Sequence, residues 1–285
     1  MKYFICKKDE DAIVIVKEIT LEEYEKWKHC TEQLKYYSLA KKFRDIAIKN
    51  GLELERYLKK IKRITKLEEI RKINNDSIGI ESNRLTLNYL VAFRTFVDNI
   101  QSYSHHIKNG KEFEKNILNW MYENEGVYAF FSKLRNFATH FSMVFDSITI
   151  ESDKINLECS KKHLLEYDSW KKENIEFINS CEEEYLPILN YIEHNNVLIM
   201  NVYLGFINYY GEDIQDMHNN IMNLMKEYQI LNPLFIESES ESNLVGSHMF
   251  GLGLNILKEA TEEFAQTPNV KVNFIGPEQI LNSNE

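Results

Sequence analysis

Hydrophobic residues along most of this chain recur at helical spacing, three and four positions apart, and depart from it in only a few short stretches. The first is at the start. Residues 2–19 place Tyr3, Phe4 and Ile5 and the run Ile13-Val14-Ile15-Val16 on either side of an acidic turn, which predicts a β-hairpin. From 21 to about 71 the pattern is helical, and Asn50-Gly51 predicts a break into two helices, because glycine accepts the left-handed conformation that follows a helix end. Residues 74–82, with Asn-Asn-Asp-Ser and a glycine, read as a linker. Next comes a long helix carrying Leu85, Tyr89, Ala92, Phe96, Tyr103 and Ile107 on one face and ending at Asn109-Gly110. Further helices are predicted over 112–123 and 126–142, a second hairpin over 147–151 and 155–159, and three more helices over 169–184, 186–210 and 213–228. Residues 196–204 are apolar nearly all round, which predicts a central buried helix. The repeat of Glu-Ser over 237–242 reads as a low-complexity linker, followed by an amphipathic segment over 254–264 and a strand over 270–275.

The pattern predicts a mainly α fold with small hairpins, organised as an N-terminal region (1–82), a helical bundle (83–235) and a linker with a C-terminal tail (236–285). Composition agrees. With 285 residues, 44% of them hydrophobic, the chain can bury a large core, and only 10 glycines and 4 prolines interrupt it. No apolar run approaches the roughly 18 residues that span a bilayer, and the first ten residues are too charged for a secretory signal. A cytoplasmic protein without a membrane partner is expected. Cysteines at 6, 30, 159 and 181 lack the spacing of a zinc site or a disulfide framework, so reduced thiols and no metal are expected.

Charge is distributed unevenly. The formal net charge of −10 argues against indiscriminate coating of nucleic acid. Residues 35–72, however, hold thirteen Lys/Arg against five Asp/Glu, a balance of +8, whereas residues 169–242 hold three against thirteen, a balance of −10. Within the basic run, Lys59, Lys60, Lys62 and Arg63 are candidate RNA contacts, and a solvated face of an amphipathic helix explains the same pattern.

The helix over 126–142 carries the chemistry. A helical wheel puts Val127, Phe131, Leu134, Ala138 and Phe141 in one apolar stripe. Ser132, Asn136, Thr139, His140 and Met143 fall opposite, with Arg135 on the flank. A face that is polar but barely charged suits a cleft or a subunit interface better than plain solvation. Imidazole can move protons near neutrality, guanidinium can brace a phosphate oxygen, and the Asn136 amide can orient the imidazole or hold a phosphate.

The hexapeptide Arg135-Asn136-Phe137-Ala138-Thr139-His140 resembles the RX4–6H signature of HEPN domains, a superfamily of helical bundles that includes many metal-independent endoribonucleases. The resemblance covers about 83–228, and the motif is its one sharp element. It implies a HEPN-like bundle with catalytic Arg135 and His140 supported by Asn136, no cofactor, and RNA cleavage by ribose 2′-hydroxyl attack. It also implies a homodimer in which two copies of the motif form one composite site. Many bacterial members act as toxins or in antiviral abortive infection, restrained by an antitoxin or other regulatory protein, and the Lys, Ile and Asn bias fits a low-GC bacterium. In some of these toxins a tyrosine two places after the motif histidine is modified; here that place holds Ser142. The alternative function is a non-catalytic HEPN-like module that recognises RNA or a protein.

Three weaker signals have plainer explanations. His105 and His106 are adjacent and do not share a helix face. Arg94 and Asp98, one turn apart, form a structural ion pair or line the cleft beside the motif helix. Gly251-Leu-Gly253 lacks the context of a dinucleotide loop.

Overall fold

The computed structural model describes residues 1–10, 12–64, 75–151, 154–241, 244 and 247–267. It is mainly helical with small antiparallel strands: β1 (Lys2–Asp9), β2 (Ala12–Ile19), α1 (Leu21–Lys62), α2 (Asn75–Ser104), α3 (Gly110–Phe113), a π-helical segment (Glu114–Asn119), α4 (Trp120–Asn124), α5 (Gly126–His140), β3 (Ser147–Glu151), β4 (Lys154–Glu158), α6 (Lys161–Leu165), α7 (Lys172–Ser180), α8 (Ile188–Tyr228), β5 (Leu234–Ser238), β6 (His248–Gly251) and α9 (Leu254–Gln266). Both expected hairpins form, with β1 on β2 and β3 on β4 antiparallel.

Two compact units emerge, and their limits are not those expected at 82 and 235. The first comprises, among the described residues, 1–39, 106–110 and 207–267; the second comprises 40–64, 75–105 and 111–206. Neighbours along the chain do not all stay together. Instead, β5 pairs with β1 across more than two hundred residues, which joins the chain's two ends in one unit.

In that first unit the sheet runs β2-β1-β5-β6. Phe4, Cys6 and Ile236 are fully buried on one face. The opening turns of α1 cover aromatic positions: Trp27 stacks on Phe235 at 5.6 Å and Tyr24 meets Phe250 edge-on at 5.3 Å. Glu237 and Ser238, expected in a flexible linker, belong to β5, and Ser238 is buried. Backbone pairing with β1, and of Glu237 with β6 as well, gives the first Glu-Ser pair of the repeat an ordered place that its composition does not reveal. The amphipathic segment forms α9, which buries Leu257, Ala260 and Phe264. The strand expected over 270–275 lies outside the described residues.

Helix boundaries required the largest corrections. α1 is continuous through Asn50-Gly51. Gly51 is buried, and a Cβ there would stand 2.8 Å from the Tyr89 ring and 2.2 Å from Asn196 Oδ1. Glycine therefore admits neighbouring side chains instead of ending the helix. The expected linker over 74–82 is helical from Asn75, because Ile78 and Ser82 continue the buried stripe of Leu85 and Tyr89. The two helices expected over 186–210 and 213–228 are one, α8, whose stripe of Ile207, Tyr210, Ile214, Met217 and Ile221 passes Gly211 without interruption. Its stretch 196–204 is not buried all round, since Val197 is 56% and Leu204 39% exposed. The helix expected over 169–184 is shorter, confined to Lys172–Ser180.

In the second unit α2 packs on α5. The β3–β4 hairpin closes over Ile61 and Ile78 through Ile148, Ile155 and Leu157. Asn83 fixes the chain after α5: its Oδ1 accepts the Phe145 backbone N–H at 3.0 Å and its Nδ2 donates to the Phe145 carbonyl at 3.1 Å.

Candidate functional site

α5 is held by aromatic packing. Phe130, Phe131, Leu134 and Phe137 are fully buried, whereas Phe141 is 46% exposed. The core stripe is thus rotated from the one expected through Val127, Ala138 and Phe141, because a second aromatic layer covers the Phe130 and Phe137 side. Trp170 stacks on both rings, at 5.8 and 6.0 Å. At the helix start a Cβ on Gly126 would meet Phe177 of α7 at 2.6 Å, so glycine permits this close approach. Beyond the helix end the His163 ring packs edge-on against Phe137 at 5.3 Å, and its Nε2 is 3.0 Å from the Met143 carbonyl. That separation makes Nε2–H the donor and ties down the turn after the motif.

The face bearing Asn136 opens on a cleft of about 420 Å³ lined by Arg94, Asp98, Tyr122, Ser132, Lys133, Arg135, Asn136 and Lys171. Four cations against one carboxylate line it, in a chain whose net charge is −10. Arg94 and Asp98 form the expected ion pair, Nη2 to Oδ1 at 2.5 Å and Nε to Oδ2 at 3.1 Å, and they also line the cleft. Both readings of that pair therefore hold. Arg135 is half-buried. One Nη donates to Asn136 Oδ1 at 3.2 Å, while its buried Nε has no partner. Tyr128, on the same helix, likewise has a buried, unpaired hydroxyl, and burial pushes its pKa up while the Arg94 charge opposes that shift. Lys171 Nζ stands 5.0 Å from the centre of the Tyr122 ring, within cation–π range.

Other polar residues of α5 look inward to the helix. Ser132 Oγ donates to the Tyr128 carbonyl and Thr139 Oγ1 to the Arg135 carbonyl, each at 2.8 Å, the usual i−4 back-bond of a helical hydroxyl. These two bonds explain part of the polar face without any ligand.

The motif divides. Arg135 and Asn136 line the cleft; His140 does not. It is the last residue of α5, solvent-exposed and without a hydrogen-bond or ionic partner among the described residues. Met143 (58% exposed) and Phe141 lie just beyond it. Nor do Lys59, Lys60, Lys62 and Arg63 line the cleft. Lys59 pairs with Glu55 and Glu193, at 2.5 and 2.7 Å, which leaves little free charge there. Lys60, Lys62 and Arg63 are exposed, and Lys62 borders a separate pocket of about 250 Å³ with Leu58, Ile61 and Pro187. Lys66, Arg71 and Lys72 lie outside the described residues.

Sequence reasoning missed Tyr122, Lys133 and Lys171. Lys133 stands two places before Arg135 and carried no distinguishing signal. Tyr122 and Lys171 come from other elements and reach the cleft only through packing. His105 and His106 have separate neighbours: His105 is 3.3 Å from Glu114, and His106 stacks on Tyr36 at 4.7 Å.

Among the described residues no group of three or more His, Cys, Asp or Glu is placed to hold a metal ion, and no helix is long and apolar enough to cross a membrane. Comparison with known family models, curated proteins and solved structures returns no match.

Proposed function

We propose that this chain is a HEPN-like endoribonuclease working at the polar face of α5, as a homodimer that brings two copies of the motif together. The observation that supports this most is that Arg135 and Asn136, the first two motif residues, line a cleft with three further cations. A phosphodiester held there meets the guanidinium and the amide. In the reaction the ribose 2′-oxygen attacks phosphorus and the bond to the 5′-oxygen breaks. One His140 accepts the 2′-hydroxyl proton, and the partner copy's His140 protonates the leaving 5′-oxygen. The products are a 2′,3′-cyclic phosphate and a 5′-hydroxyl. Because His140 of a single chain is exposed and outside the cleft, this chemistry requires the second copy. A role in growth arrest or antiviral defence, restrained by a partner protein, follows by analogy with HEPN toxins.

One observation favours a second reading. The cleft is lined without His140, so a non-catalytic module binding RNA or a protein needs no more than what surrounds it. Incubating wild type, Arg135→Ala and His140→Ala with structured and unstructured RNAs in EDTA, with analysis of product ends, separates the two. The nuclease reading expects cyclic-phosphate ends from wild type alone, with the dimer preserved in both variants. RNA binding without cleavage by any of the three would leave the module reading in its place.

A further inference from the structure

The cations around the cleft come from separate parts of the chain: Arg94 from α2, Lys133 and Arg135 from α5, and Lys171 from the residue preceding α7. Packing four positive charges around one opening opposes folding through mutual repulsion, and only Arg94 has a carboxylate partner. Lys133, Arg135 and Lys171 have none among the described residues. The guanidinium of Arg135 also carries a buried Nε without a hydrogen-bond partner. A volume of about 420 Å³ lies within the roughly 300–1,000 Å³ usual for small-ligand sites. Tyr122 and Asn136 supply neutral hydrogen-bonding groups.

We infer that this cleft binds a phosphate group, held by Lys133, Arg135 and Lys171, with Arg94 joining as the incoming anion competes with Asp98 for its guanidinium. Asp98 is the counterion of Arg94: it keeps the guanidinium in place and weakens anion binding by neutralising one of the four charges. The inference takes the polar face of α5 from the proposed function but not its cleavage chemistry. It therefore stands or falls on binding alone. The phosphate belongs either to an RNA strand or to a free nucleotide, and the cleft chemistry is the same for both.

The test is a titration of the full chain, across a salt series, with a single-stranded 2′-O-methyl oligoribonucleotide, which cannot be cut by 2′-oxygen attack. Inorganic phosphate and a nucleoside monophosphate are titrated in parallel. One phosphate neutralised predicts a slope of log K against log salt of about −0.7 for a single strand, and removing one of the cations should make it shallower. Lys133→Gln, at a half-buried position, and Lys171→Gln, at an exposed one, should each weaken binding roughly tenfold at low salt, about the worth of one charge-assisted hydrogen bond. Asp98→Asn should strengthen it. Lys60→Gln, on the basic run away from the cleft, should change nothing. Binding of the oligonucleotide alone assigns the phosphate to a strand, and comparable binding of the monophosphate assigns it to a free nucleotide. The inference is overturned if none of the three ligands binds, or if Lys133→Gln and Lys171→Gln leave affinity and slope at wild-type values. Binding lost in the cleft variants, together with no cleavage of the unmodified RNAs by wild type in the product-end assay, would retain the phosphate site and refute the nuclease.

Discussion

Replacing Gly51 by alanine distinguishes a helix breaker from a point of close approach. At an ordinary helix-interior position the change stabilises by about 1 kcal/mol, since alanine is the better helix former. Gly51 lies inside α1, and its missing side chain makes room for two groups. The Asn196 amide, 2.2 Å from the ideal Cβ, is the tip of a short side chain and can turn away. The Tyr89 ring, 2.8 Å away, cannot. It is fully buried, meets the Phe131 ring edge-on at 5.8 Å, and its hydroxyl accepts a hydrogen bond from Asn195 at 2.9 Å. Overpacking of this kind costs about 1–3 kcal/mol, so after the helix gain Gly51→Ala should destabilise by about 1 kcal/mol, measured by urea unfolding. Gly79→Ala in α2 serves as the comparison. There the nearest atom is the tip of Ile148 at 3.3 Å, which can give way, and stability should rise by a few tenths of a kcal/mol or more. A gain of about 1 kcal/mol at Gly51 would refute the close-approach argument.

Two further outcomes follow from burial. Burial holds the Asp213 carboxyl above its ordinary value of 3.8, against the opposing Lys108 backbone hydrogen bond. A raised folded value means that this residue's contribution to stability is present below about 3.8 and lost as pH rises through the folded value. Asp213→Asn, which imitates the protonated form, should therefore match wild type near pH 3.8 and be more stable at pH 7; equal stability at pH 7 would contradict the argument. Among the thiols, burial pushes Cys6 up to about 11 and raises Cys30 and Cys159, whereas Cys181 is partly exposed. A thiol reagent at pH 8 should modify one cysteine quickly and three slowly, and Cys181→Ser should remove the fast phase.

The sequence by itself determined the mainly helical character, both hairpins and the helix that carries Arg135, Asn136 and His140, because hydrophobic period is a local property that survives in the folded chain. It also paired Arg94 with Asp98, since one helical turn of spacing fixes their common face. Tertiary structure decided what local signals left ambiguous. Glycine reads alike whether it ends a helix or admits a neighbour, and only the approach of Tyr89 to Gly51 chooses between them. Glu237 and Ser238, the start of the Glu-Ser repeat, read as linker until β1 and β6 supply hydrogen-bond partners on both sides of β5. The cleft illustrates the same limit. Lys171 lies 36 positions from Arg135, and no periodicity connects them; packing of α5 against its neighbours gathers four charges whose long-range proximity is not encoded in any local pattern.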